Sequence, residues 1–74
     1  MVTDELAREN IAANVTALLK KRGMTRSQLS DSTGENAMYL SRICNGKILP
    51  NAAALARIAE ALGVTSERLM ENPQ

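Results

Sequence analysis

The sequence predicts an all-α domain of five helices, and three observations carry that prediction. Hydrophobic residues make up 45% of the 74-residue chain, yet Tyr39 is the only aromatic. The core is therefore built from Leu, Ile, Val, Met and Ala, which suit close helix contact, whereas strands favour β-branched and aromatic residues. Polar capping residues stand ahead of apolar runs of helical period, and glycines stand just behind them. A chain this short buries only about 60% of its unfolded surface, which bounds it to one compact domain over residues 1–74.

Each helix has its own signature. In the first, Ile11, Val15, Leu18 and Leu19 recur at helical spacing, predicting a helix from about Asp4 to Arg22. Lys20, Lys21 and Arg22 complement the dipole of its last turn, and Gly23 supplies the stop. The second begins at Thr25, where Thr25-Arg26-Ser27-Gln28 reads as a capping box and Met24 and Leu29 stand at staple spacing. It is short, ending near Ser32 before Gly34. Asn36 caps the third, which runs to about Cys44, with Asn45-Gly46 as its stop. Asn51 follows Pro50 and caps the fourth, whose buried stripe is Leu55, Ile58, Ala59 and Leu62 and whose end is Gly63. The fifth is a short turn of helix from Thr65, with Val64 and Leu69 at staple spacing, and Pro73 closes the chain. No repeat, low-complexity tract or linker interrupts this order, so the reading holds no second, sensor domain.

Composition also excludes chemistry. With no histidine and one cysteine, the chain has no imidazole metal site, no thiolate zinc cluster, no intrachain disulfide and no Ser-His or Cys-His nucleophile pair. No cofactor, small-molecule ligand or enzymatic activity is expected. No stretch approaches the roughly 18 apolar residues of a membrane span and no signal-peptide core is visible, so a cytoplasmic protein with no membrane partner is expected. Net charge is only +1, but it is unevenly placed. Lys20, Lys21, Arg22, Arg26, Arg42 and Lys47 face only Asp31 and Glu35 within residues 20–47, whereas Arg8, Arg57 and Arg68 face six carboxylates elsewhere. The basic segment is a candidate for one charged face.

The informative stretch is the second helix, a three-residue turn and the third helix, about residues 25–45. Two helices crossing steeply over so short a turn need small or apolar residues where they meet and a glycine that can turn left-handed. Leu29, Ser30, Gly34, Leu40 and Ile43 meet that need; Thr33 and Glu35 stand where apolar residues are preferred. With the runs Gly23-Met24-Thr25, Gln28-Leu29-Ser30, Leu40-Ser41-Arg42-Ile43, Asn45-Gly46-Lys47, Pro50, Leu55, Ile58-Ala59, Ala61-Leu62-Gly63-Val64 and Leu69, the chain resembles the Cro and lambda-repressor family of helix-turn-helix domains. The resemblance covers roughly residues 11–70. It implies a five-helix bundle of the lambda-repressor type whose third helix enters the major groove of double-stranded DNA. Arg26 departs from the glutamine usual in the family. Leu19 and Cys44 replace a buried Arg–Glu pair found in some members, and an apolar pair fills that space without desolvating charge.

Helical geometry assigns the faces independently. At 100° per residue, Leu40, Ile43 and Cys44 point to the core, while Met38, Ser41, Arg42 and Asn45 point away, with Ala37 and Tyr39 on the flanks. The base-reading candidates are Asn36, Ala37, Met38, Ser41 and Arg42. Arg42 is first among them because its fork matches guanine O6 and N7; a phosphate contact or a solvated charge is the plain alternative. Ala37 and Met38 suit a thymine methyl, and Asn36 is a cap before it is a contact. The phosphate candidates are Thr25, Arg26 and Gln28 at a helix N-terminus, then Tyr39, Asn45 and Lys47. Against these stand capping for Gln28, a helix stop for Asn45 and packing for Tyr39. Cys44 reads as a small core residue.

One such domain contacts few base pairs, so the resemblance implies a homodimer on a palindrome with half-sites about one helical turn apart. The dimer surface is expected from Thr65, Arg68, Leu69 and Met70, or else these residues only close the core. The favoured reading is a repressor or autoregulator acting by occlusion in a bacterial or phage-infected cell, nucleoid-associated when bound, with RNA polymerase as a further partner. The alternative is a protein-interaction module, an antitoxin or polymerase-contacting activator with little DNA binding of its own, which the modest overall charge and the acidic Glu35 beside the turn favour.

Overall fold

The computed structural model describes residues 2–73, which fold into five helices: α1 (Asp4–Arg22), α2 (Arg26–Thr33), α3 (Ala37–Cys44), α4 (Ala52–Leu62) and α5 (Ser66–Met70). Each begins on a polar cap. Thr3, Thr25, Asn36, Asn51 and Thr65 all sit in extended backbone and accept from amides of the first turn, satisfying donors that have no intrahelical partner. The bundle is all-α, as expected. α2 runs to Thr33, one residue beyond Ser32, where the Gly34 amide closes the last turn on the Ser30 carbonyl at 2.9 Å.

The long α1 packs against α3 and α5, α2 packs against α3 and α4, and α4 closes on α5. Ile11, Val15, Leu29, Leu40, Ile43, Ile58, Leu62 and Leu69 are the large side chains wholly removed from solvent, each contributing about 1.5–3 kcal/mol by burial. Leu19 and Cys44 lie in the same cluster, so that place in the fold is filled by apolar packing. The Cα radius of gyration, 10.9 Å, is what one close-packed domain of this length gives, about 11 Å. Among the described residues, no helix is long and apolar enough to cross a membrane.

A five-residue helix cannot hold itself, and α5 is anchored by two buried polar residues of α1. The Asn14 carboxamide donates to the carbonyls of Leu69 and Glu71 at 2.8 Å and, more weakly, of Arg68 at 3.4 Å. Asn10 donates to the Met70 carbonyl at 3.2 Å. These bonds satisfy C-terminal carbonyls that the short helix leaves open.

Candidate nucleic-acid interface

The α2–turn–α3 unit is fixed at both ends. At the start of α2 the Thr25 hydroxyl accepts from the Gln28 amide at 3.1 Å while Gln28 Oε1 accepts from the Thr25 amide at 2.8 Å, the expected capping box. At its end Gly34 adopts φ +76, a left-handed geometry that side chains disfavour. The two residues that depart from the apolar preference are both satisfied. Thr33 Oγ1 accepts from the Glu35 amide at 3.1 Å as well as donating to Leu29. Glu35, its side chain only 13% exposed, pairs with Arg57 of α4 at 2.5 and 2.7 Å. Its charge is thereby paired within the fold and is not a free acidic group beside the turn.

On α3, Leu40, Ile43 and Cys44 are buried and Met38, Arg42 and Asn45 are exposed, with Met38 62% open to solvent. Ser41 is half-buried because Arg26 lies across it. From the first residue of α2, Nη1 of Arg26 donates to Ser41 Oγ at 3.4 Å and Nη2 to Asn45 Oδ1 at 3.2 Å. The structure thus brings Arg26, Ser41 and Asn45 together on one surface. Arg42 and Lys47 stand near the far end of α3, joined by the bond from the Lys47 amide to the Arg42 carbonyl. Ala37 is exposed at its start.

The polar side chains of this surface share one property that the sequence does not display. Six of the candidates can both donate and accept, and in all six the accepting oxygen is already engaged within the protein. Thr25 and Gln28 use theirs in the capping box. Asn36 Oδ1 accepts from the amides of Met38 and Tyr39 at 2.8 and 3.2 Å. The Tyr39 hydroxyl accepts from the Asn51 amide at 3.1 Å, and the Ser41 and Asn45 oxygens are held by Arg26. Each of the six therefore has part of its accepting capacity spent within the protein, while no bond from its side-chain N–H or O–H to another group is seen among the described residues. Together with Arg26, Arg42 and Lys47 they form a surface rich in hydrogen-bond donors, suited to a ligand rich in acceptors.

Cys44 is buried behind this surface. Desolvation pushes its thiol above the ordinary value of 9.0, and the Arg26 charge only partly opposes this, so the thiol is held as an inert core group.

Of the residues expected at a dimer contact, Thr65 caps α5, Arg68 is exposed and reaches back to Asn14 Oδ1 at 3.4 Å, and Met70 is 39% exposed. Leu69 is a correction. It is wholly buried, because its side chain closes the core under α1, and it has no surface to offer a second copy. Leu6, which the sequence reading did not single out, is exposed one turn before Asn10, whose carboxamide holds the Met70 carbonyl. That tertiary bond is what brings this part of α1 beside the end of α5.

The family model described as helix-turn-helix matches residues 15–69. Over 63 residues the chain is 38% identical to the HTH-type transcriptional repressor RghR of Bacillus subtilis, an alignment covering 84% of this chain and 47% of that protein. It is 29% identical over 63 residues to the uncharacterized HTH-type transcriptional regulator y4dJ of Sinorhizobium fredii, covering 85% and 82% respectively. The chain thus spans about half the length of the first relative and most of the second. No solved structure matches.

Proposed function

The chain belongs to the helix-turn-helix family of the Cro and lambda-repressor type, a family of DNA-binding transcriptional regulators, and on that premise we propose that it is a homodimeric repressor or autoregulator of a palindromic operator. The observation that supports this reading most is the donor-rich surface, with its unpaired Arg26, Arg42 and Lys47, at the start of α2 and along α3. Phosphate oxygens only accept, and the guanine N7 and O6 edge only accepts in the major groove. A protein surface rich in donors and carrying unpaired cations is complementary to both.

In this reading α3 lies in the major groove. Arg42, free of side-chain partners among the described residues, forks onto a guanine, while Ala37 and Met38 pack on thymine methyls and Asn36 donates from its amide. The strand is held by Thr25, Arg26, Gln28 and Tyr39 on one side and by Asn45 and Lys47 on the other. The second copy docks through Met70 with Leu6, framed by Arg68 and Thr65. The domain measures 33 × 22 × 18 Å, so two copies side by side can place their third helices about 34 Å apart, one turn of the duplex. Bound there, the dimer excludes RNA polymerase from an overlapping promoter.

Selection of binding sites from a random duplex library, followed by sedimentation of the complex, tests this directly. The expected result is a palindrome with half-sites about one turn apart, occupied by two copies. A single half-site held by one copy contradicts the dimer.

A further inference from the structure

The outer face of α1 and residues 44–46 at the end of α3 enclose an open groove of about 640 Å³. On α1 it is lined by Ala12, Ala13, Thr16 and Ala17, with Glu9 at one end and Lys20 at the other. Ala12 is half-buried and the other five are exposed. The ion pair between Arg57 and Glu35 is the only one among the described residues, so Glu9 and Lys20 are both unpaired. At a rise of about 1.5 Å per residue they stand about 16 Å apart along the helix, beyond each other's reach. Each charge therefore needs a second molecule to meet its opposite.

We propose that this groove receives a second copy of the chain, with α1 lying antiparallel against α1 about a two-fold axis level with the step from Asn14 to Val15. The residue order is self-complementary for that arrangement. A two-fold centred there brings Glu9 level with Lys20 of the second copy, Ala12 level with its Ala17, and Ala13 level with its Thr16. By symmetry the charge pair forms twice, once at each end of the contact. Small side chains between the charged ends let the two helices approach to about 8 Å between axes, the close end of the usual range. A parallel pairing would instead set Glu9 beside Glu9 and Lys20 beside Lys20. Three turns of small side chains bury far less than the roughly 1,200–2,000 Å² of a stable interface. The contact therefore holds only copies already concentrated, and it adds to the contact through Met70 rather than replacing it. On the DNA-binding reading above, neighbouring copies on one duplex meet that condition.

The test is sedimentation over a concentration series in an M70E background, which removes the contact at α5. The variants added to it are E9K, K20E, E9K/K20E and, as a control on α4, E60K. All four positions, Met70 included, are exposed, so circular dichroism is expected to show an unchanged fold. The expected result is that M70E alone forms a weak dimer. E9K and K20E each weaken it by about tenfold, because each sets like charges together at both ends. E9K/K20E restores the dimer, and an equimolar mixture of E9K and K20E associates more tightly than either alone. E60K makes the same charge change away from the groove and leaves association unaltered. The proposal is overturned if M70E stays monomeric up to about 1 mM, or if E9K/K20E is as weak as the single variants. It is overturned equally if E60K weakens association as much as E9K, since net charge alone would then be the cause. A protein that selects no DNA sites overturns the DNA-binding reading and leaves the sedimentation result standing.

Discussion

The Asn14 carboxamide of α1 donates to the Leu69 carbonyl of α5 at 2.8 Å, so a buried polar side chain fixes the last helix to the first. Leu69 in turn seals the core beneath it. The position of exposed Met70 therefore depends on a hydrogen bond between residues more than fifty apart in the chain.

Removing that bond is expected to loosen α5. N14A leaves buried carbonyls of α5 without donors and should destabilise the fold by roughly 1–3 kcal/mol. N14D should be worse, since an acceptor-only carboxylate then faces those carbonyl oxygens. Urea unfolding followed by circular dichroism measures both. A loss for N14A below about 0.5 kcal/mol would show that α5 is held by packing alone.

Adjacent residues of α5 should separate stability from assembly. L69A empties a fully buried site and is expected to lower stability by about 2–5 kcal/mol. M70E, on an exposed position, should leave stability within about 0.5 kcal/mol of wild type while shifting sedimentation toward the monomer. A dimer unaffected by M70E and by L6E would move the interface to another surface.

The Cys44 thiol gives a pH prediction. Burial raises its folded-state value above the ordinary 9.0, so the folded form favours the neutral thiol. The corresponding stability is complete below the unfolded-state value and declines as pH rises through and beyond it. Stability should therefore fall in alkaline solution beyond what C44A shows, and a thiol reagent at neutral pH should label the native protein far more slowly than the unfolded one. Equal labelling rates would place the thiol at the surface.

Arg42 and Lys47 should fail differently. R42A is expected to cost roughly 1–3 kcal/mol of binding and to relax preference at one base. K47A should weaken all duplexes about equally and reduce the salt slope by about one. Competition binding against single-base variants of the selected site distinguishes the two patterns.

The helix boundaries were legible in the sequence because caps and stops are local. Thr25 with Gln28 and Asn36 with the amides that follow it act within four residues. What the sequence hid lies in bonds between distant segments. Glu35 looks misplaced until Arg57, 22 residues on, is seen to neutralise it. Asn14 interrupts an apolar face, and its partners are backbone carbonyls, which carry no residue signature. Leu69 and Met70 are both apolar and adjacent, and only the seat of α5 against α1 separates the buried one from the exposed one. For the interface, periodicity revealed which residues face outward, but not that their oxygens are engaged.

The central claim, that the donor surface of α2 and α3 binds double-stranded DNA, is tested most directly by fluorescence anisotropy of a labelled duplex over a salt series. Engagement of about six phosphates per complex predicts a log–log slope near −5, with affinity for a selected palindrome exceeding that for random duplex by about a thousandfold or more. Binding that is absent at low salt, or that does not change between about 50 and 200 mM salt, would contradict the claim.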